Sequence, residues 1–148
     1  MALAKVNHCG RQHLELKRIN DRVSVSGQIS PDDVDAIKAA GFVAIVNNRP
    51  DGEAGDQPTS AELEKAAVAA GLVYIAIPVG REGVSDAMVQ NTRAAMDNND
   101  GPVLFFCRTG TRSTTLWALS QAGKMDAKSI ISAAANAGYD MSHLAGHL

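Results

Sequence analysis

The sequence reads Val103-Leu-Phe-Phe-Cys-Arg-Thr-Gly-Thr-Arg-Ser-Thr-Thr-Leu-Trp117 across the stretch that decides its fold. The four apolar residues at its start predict a buried strand, and the residues after Gly110 follow a helical pattern. Cys107 therefore lies where a strand turns into a helix. Backbone N–H groups and the positive end of the helix dipole meet at such a turn, and both favour a thiolate. This stretch predicts a catalytic thiol inside an anion-binding loop.

Cationic and small residues surround this cysteine. Arg112 lies at the start of the helix, where a cation opposes the helix dipole, so its presence there indicates a bound anion. We predict Cys107 as the nucleophile and Arg112 as its catalytic partner, with an inert core thiol as the alternative for Cys107. Arg108 has a solvated loop charge as its alternative. The rest of the loop is predicted to bind substrate: Arg108, Thr109, Gly110, Thr111 and Ser113.

Composition argues against several classes of function. The 148 residues carry a net charge of −2, which gives no electrostatic case for binding nucleic acid or an anionic membrane surface. No apolar stretch approaches the roughly 18 residues of a membrane span. The first residues lack the apolar segment of a secretory signal. The length of the chain predicts a single domain over residues 1–148. Two cysteines form no disulfide framework, so we expect the reducing cytoplasm.

Cys9 and the histidines suggest further roles. Cys9 could act as a resolving or persulfide-accepting thiol, with an incidental terminal cysteine as the favoured alternative. The four histidines, His8, His13, His143 and His147, show no ligand spacing with a cysteine or carboxylate. We therefore expect no metal and no cofactor.

Strands and helices alternate along the chain. Alternating apolar and polar residues predict a half-exposed strand over residues 22–27, and apolar runs predict strands over residues 42–46, 72–77 and 103–106. Helices are expected to start at Ser30, at Thr59 or Ser60, near Ser85 and at Asp126, with a short last one around residues 141–144. This alternation predicts an α/β fold with a central, mostly parallel sheet of four to five strands flanked by helices. The functional crevice of such a sheet lies beyond the carboxyl ends of its strands, which groups the loops 47–58, 78–83 and 107–112.

The two neighbouring loops supply more candidate residues. Arg49 is predicted to bind substrate, and the alternative is a structural turn in which it pairs with Asp51 or Glu53. Arg81, which precedes Glu82 in the loop 78–83, is likewise predicted to bind substrate or to serve the turn.

Several motifs together resemble one bacterial family. They are Val25-Ser-Gly-Gln-Ile-Ser-Pro31, Asn47-Asn-Arg-Pro-Asp-Gly-Glu53, Gln57-Pro58, Ile77-Pro-Val79, Gly101-Pro102, Cys107-Arg-Thr-Gly-Thr-Arg-Ser113 and Ala137-Gly-Tyr-Asp140. By these motifs the chain is identified as a member of the phosphatase-like domain family of beta-lactamase-hydrolase-like proteins, a domain with proposed sulfur-transferase activity. The resemblance implies a fold like that of dual-specificity phosphatases, with the nucleophilic cysteine in a loop above the sheet.

The loop departs from the pattern of cysteine phosphatases, which have a histidine before the cysteine and an arginine six positions after it. Phe106 precedes Cys107, and Arg112 follows five positions later. The Cys-x-x-Gly-x-Arg-Ser spacing instead resembles the loop of single-domain rhodaneses. A shorter loop encloses a smaller cradle, which suits one sulfane sulfur better than a phosphoryl group. A phosphatase also needs an acid for the leaving alcohol, and the matching segment offers only Glu82 and Asp86.

These departures make a rhodanese-type sulfurtransferase the first hypothesis. The Cys107 thiolate would take a sulfane sulfur from a small anionic donor, thiosulfate or glutathione persulfide, and pass it as a persulfide to a thiol acceptor. The alternative is a cysteine-based phosphatase that forms a phosphocysteine from a phosphoester, with Asp86 or Glu82 as the general acid. A non-catalytic anion- or redox-sensing module is the second alternative. The resemblance also implies a metallo-beta-lactamase-like, persulfide-oxidising partner, because family relatives are fused to such domains.

Overall fold

The computed structural model describes residues 14–148. The strands are β1 (Lys17–Arg18), β2 (Val23–Ser26), β3 (Ala44–Asn47), β4 (Val73–Ala76) and β5 (Val103–Phe106). The helices are α1 (Val34–Ala39), α2 (Ser60–Ala69), α3 (Asp86–Asp97), α4 (Thr111–Ser120) and α5 (Ala127–Asn136). One 3-10 turn (Pro31–Asp33) precedes α1, and another (Ser142–His147) follows α5.

The strands form one five-stranded sheet in the order β1-β2-β5-β3-β4. The strands β2, β5, β3 and β4 run parallel, and β1 pairs antiparallel with β2. This confirms the predicted α/β fold with a mostly parallel sheet. Ser26 and Asn47 are the register partners of Phe106 on either side, so three neighbouring strands end at the same level. The loops that follow β2, β3 and β5 are thereby gathered at one edge of the sheet.

Strand β5 is central, and both of its faces are covered, which is why it is apolar throughout. Val103 and Phe105 pack into a core with residues of α3, α4 and α5. Leu104 and Phe106 pack into a second core with residues of α1 and α2. Trp117 of α4 is fully buried in the first of these cores. The loop that carries Cys107 therefore starts from a strand buried on both sides.

Capping residues start the later helices where the sequence predicts them. The Thr59 hydroxyl accepts the Glu62 N–H at 3.1 Å, and Ser85 and Asp126 cap α3 and α5 in the same way. The first helix differs from the prediction, because a 3-10 turn comes before α1. The Asp33 N–H bonds to the Ser30 carbonyl at 3.0 Å, an i to i+3 bond that tightens this first turn.

Two features of the sheet differ from the sequence pattern. The apolar run over residues 72–77 forms the edge strand β4, which has a neighbouring strand, β3, on one side only. Val73 of this strand is 45% exposed. Strand β1 was not predicted, since two residues carry no periodic signal. Neither feature changes the edge where the loops meet.

Candidate active site

The Cys107 loop is held at both sides where it leaves the sheet. The Cys107 N–H donates to the Ser26 carbonyl of β2 at 3.3 Å, and the Phe106 carbonyl accepts the Asn48 N–H at 2.8 Å. The loop then turns through Gly110, the N-cap of α4, whose φ of 94° lies in the left-handed region that glycine adopts easily. The local geometry is therefore the strand-turn-helix that the sequence predicts.

The Cys107 sulfur is buried beneath backbone N–H groups. The residue is 1% exposed, and the Gly110 N–H donates to its Sγ at 3.1 Å. Burial alone raises the pKa of Cys107, but hydrogen bonding to the N–H groups of Ser113, Thr109 and Gly110 and to the Ser113 hydroxyl outweighs it, so the net pKa lies below the ordinary value. The thiolate is thus favoured in the folded protein.

Arg112 reaches over the loop with its guanidinium fixed by two neighbours. Its Nη1 donates to Glu53 Oε2 at 2.7 Å and to the Val79 carbonyl at 2.9 Å, and its Nη2 donates to Glu53 Oε1 at 3.0 Å. Glu53 raises the pKa of Arg112, burial lowers it, and the negative charge of Cys107 raises it again. Three of the five guanidinium N–H donors are used by Glu53 and Val79, so two are left, on a guanidinium close enough to Cys107 for a hydrogen bond to its sulfur.

Glu53 links Arg112 to a second arginine. Arg49 is 7% exposed, and it donates to Glu53 Oε1 and to Gln28 Oε1, each at 2.9 Å. The hydrogen bond from Arg112 lowers the pKa of Glu53, burial opposes this, and Arg49 lowers it further, to about 2. The structure thus confirms the pairing of Arg49 with Glu53 that the sequence offered as an alternative. Both residues orient Arg112, and Glu53 remains ionised.

The remaining loop residues divide into an exposed and a buried set. Arg108, Thr109 and Thr111 are exposed, and the hydroxyls of the two threonines lie 3.2 Å apart. Gly110 and Ser113 are buried. The Ser113 hydroxyl lacks a nitrogen or oxygen partner among the described residues, and it lies beside the Cys107 sulfur, whose pKa it helps to lower.

Three predicted residues are not bonded to the loop through their side chains. Arg81, Glu82 and Asp86 are exposed, and within residues 14–148 none of them forms a hydrogen bond or ion pair through its side chain. Asp86 instead lines a groove of about 600 Å³ between α3 and α4. The role of Glu82 or Asp86 as a general acid for Cys107 stays a prediction.

Two residues at the site were not linked to Cys107 from sequence. Glu53 contacts Arg112, which lies 59 positions later in the chain. The two residues follow the neighbouring parallel strands β3 and β5, and that placement is the signal that could have paired them. Tyr139, just after α5, donates from its hydroxyl to the Thr109 carbonyl at 2.9 Å. No local pattern announces this contact, which joins residues 30 positions apart.

The described part of the chain shows no cluster of three or more histidine, cysteine, aspartate or glutamate side chains that could hold a metal ion. Nor does it contain a helix with the length and apolar character needed to cross a membrane. Cys9, His8 and His13 lie outside the described residues.

A cysteine at the end of the central parallel strand, followed by an anion-binding loop and a helix, is the arrangement of the cysteine-based phosphatase fold. Residues 15–124 match the family described as the beta-lactamase hydrolase-like protein, phosphatase-like domain, and the chain belongs to this family. A beta-lactamase hydrolase-like protein of Agrobacterium fabrum is 39% identical over 105 residues, which cover 71% of this chain and 24% of that protein. The chain thus spans about a quarter of that relative's length.

Solved structures show the same fold. A "putative phosphatase" from Neisseria meningitidis is 29% identical and superposes with a TM-score of 0.75 over 87% of this chain and 92% of that one. Tk-PTP in its active form superposes with a TM-score of 0.67 at 18% identity, over 90% of this chain and 97% of that one. At this low identity the second likeness shows the fold alone.

Proposed function

We propose that the chain is a cysteine-dependent phosphomonoester hydrolase. The observation that carries the proposal is the buried Cys107 sulfur, held by the Gly110 N–H beside an Arg112 guanidinium with two donors left for an anion. The Cys107 thiolate attacks phosphorus, the ester P–O bond breaks, and the leaving group departs as an alkoxide or phenoxide that takes a proton from solvent. Water then attacks the phosphocysteine, the P–S bond breaks, and inorganic phosphate leaves with the thiolate restored.

The charges of the site restrict the substrate class. Glu53, the carboxylate that contacts Arg112, has a pKa of about 2 and cannot deliver a proton near neutral pH. Glu82 and Asp86 are exposed, and within residues 14–148 their side chains form no hydrogen bond or ion pair with the loop. We therefore expect substrates whose leaving group departs as an anion without help, such as aryl phosphates, acyl phosphates and phosphoanhydrides. Alkyl phosphates are expected to be poor substrates.

Sulfur transfer is the second candidate, and a specific feature favours it. Four residues separate Cys107 from Arg112, one fewer than in cysteine phosphatases, so the loop encloses a narrower cradle. Sulfur transfer also needs no general acid, because sulfite leaves as an anion. The thiolate would attack the outer sulfur of thiosulfate, the S–S bond would break and sulfite would leave. An acceptor thiolate would then remove that sulfur and restore Cys107. The family and the solved structures name phosphatases, so they favour hydrolysis over the sulfurtransferase that the sequence put first.

One paired assay tests both reactions. The chain is incubated with an aryl phosphate in one arm and with thiosulfate plus cyanide in the other, and intact mass is followed alongside turnover. The matched control is Cys107→Ser in each arm. Cys107-dependent release of phosphate, faster for phenols of low pKa, supports hydrolysis.

The other outcomes are equally decisive. Gain of one sulfur atom with turnover to thiocyanate, and no phosphate release above the Cys107→Ser control, would replace hydrolysis by sulfur transfer. A modified Cys107 that never turns over in either arm would leave the chain as a sensing module and would rule out both enzymes.

A further inference from the structure

The peptide unit between Thr109 and Gly110 is bonded at both of its ends. Its carbonyl accepts the Tyr139 hydroxyl at 2.9 Å, and its N–H donates to Cys107 Sγ at 3.1 Å. A trans peptide is planar, and its C=O and N–H point in opposite directions. The Tyr139 bond on one side therefore holds the N–H toward the sulfur on the other.

This peptide needs such a restraint because it borders a glycine. Gly110 has a φ of 94°, and a residue without a Cβ permits rotations of the adjoining peptide that others resist. A rotated peptide would turn the Thr109 carbonyl toward the sulfur. Its partial negative charge would then face both the thiolate and any anion bound above it, which is unfavourable at a buried site.

Tyr139 is itself well placed to hold the peptide. Its N–H bonds to the Ala134 carbonyl at 2.9 Å, which ties it to the end of α5. Its hydroxyl lies so close to Gly110 that a Cβ added there would clash with it. Burial raises the pKa of Tyr139, and the charge of Cys107 raises it further, so the phenol keeps its proton and remains a donor.

We propose that Tyr139 is a positioning residue that holds the Thr109–Gly110 peptide with its N–H on the Cys107 sulfur, and so keeps the loop ready for the thiolate and an anion. This role does not depend on which group Cys107 transfers. It reaches the reacting sulfur through a backbone peptide, and no contact between Tyr139 and substrate is required.

The test compares Tyr139→Phe with Tyr74→Phe, both in a Cys9→Ser background so that Cys107 is the one thiol. Tyr74 is the other tyrosine of the chain, and its hydroxyl bonds to Asn47 and Ser60 away from the loop peptide. The rate of Cys107 alkylation by iodoacetamide is measured against pH. Loosening one hydrogen bond to the thiolate should raise the midpoint by about half a pH unit to one unit in Tyr139→Phe, and leave it unchanged in Tyr74→Phe.

A second readout follows the bond directly. The amide proton resonance of Gly110 should move upfield in Tyr139→Phe, because its hydrogen bond to sulfur is populated less. If both tyrosine variants leave the midpoint and this resonance where they are in the parent, Tyr139 only packs against the loop and the proposal is wrong. Should Tyr139→Phe fail to fold, the same comparison with Tyr139→Leu decides, since leucine keeps an apolar contact without the hydroxyl.

Discussion

Arg112 is a cation placed where its own helix disfavours one. It lies in the first turn of α4, next to the positive end of the helix dipole. The two bonds to Glu53 and the bond to the Val79 carbonyl offset this and fix the plane of the guanidinium. What remains is a planar fork of N–H groups beside the Cys107 sulfur, a shape that matches oxyanions.

The planar fork predicts that charge alone does not suffice at this position. Arg112→Lys keeps the positive charge. A lysine ammonium that bonds to Glu53 and Val79, however, cannot at the same time present two parallel donors to an anion. We expect kcat/KM to fall about a hundredfold, as when one preorganised donor to a developing oxyanion is lost. The measurement is turnover of whichever substrate the paired assay selects.

Arg108→Lys is the matched control for this change. Arg108 belongs to the same loop and is exposed, with no side-chain hydrogen bond or ion pair within residues 14–148. We expect kcat/KM to stay within a few-fold of the parent. An Arg112→Lys variant that keeps its kcat/KM would show that charge alone suffices at this position, and equal losses in the two lysine variants would show that the loss is not specific to the fork of Arg112.

At the scale of elements, the end of β2 lies directly against the Cys107 loop. A Cβ added to Gly27 would lie 2.9 Å from the Arg108 carbonyl oxygen, which is backbone and cannot move aside as a flexible side chain would. Gly27→Ala should therefore push β2 and the loop apart. We expect a loss of about 1–3 kcal/mol in the free energy of unfolding, as for other overpacked sites. Denaturant titration measures it.

Gly55→Ala is the control for Gly27→Ala. Gly55 lies in an exposed turn of the loop between β3 and α2, with open space around an added Cβ and no positive φ. We expect the free energy of unfolding to stay level or to rise by a few tenths of a kcal/mol, because alanine restricts the unfolded chain. If both alanine variants unfold alike, the closeness of β2 to the loop is not what Gly27 provides.

The elements also show how far a sequence of this kind can be interpreted. The strand before Cys107, the helix after it and the caps at Thr59, Ser85 and Asp126 depend on neighbours within a few positions, so they were predicted correctly. The sheet order, the edge position of β4 and the contacts of Glu53 and Tyr139 depend on residues far apart in the chain. Local patterns hold no information on these contacts, which is why the sequence singles out Cys107 and Arg112 as candidates but not the residues that contact their loop.

For the whole molecule, the site is joined to the fold through ion pairs as well as through the sheet. Arg112 connects its own loop to the loop after β3 through Glu53 and to the loop after β4 through the Val79 carbonyl. Arg49 extends the network to Gln28, which follows β2. Glu53 lies at the centre of this network, because both arginines donate to its carboxylate. The protonation of Glu53 should change the stability of the whole domain.

This coupling predicts a specific pH dependence of stability. The pKa of Glu53 falls from 4.5 to about 2 on folding, so its contribution is complete above pH 4.5 and is lost as the pH falls toward 2. Glu53→Gln has no such group. The difference in unfolding free energy between parent and Glu53→Gln should be constant near neutral pH and should change in favour of the variant between pH 4.5 and 2. Fluorescence of the single, buried Trp117 during urea unfolding measures this difference.

Glu64→Gln, at an exposed position on α2, is the control and should show no such change in unfolding free energy with pH. A parallel course for both variants would contradict the ion-pair network as a source of stability.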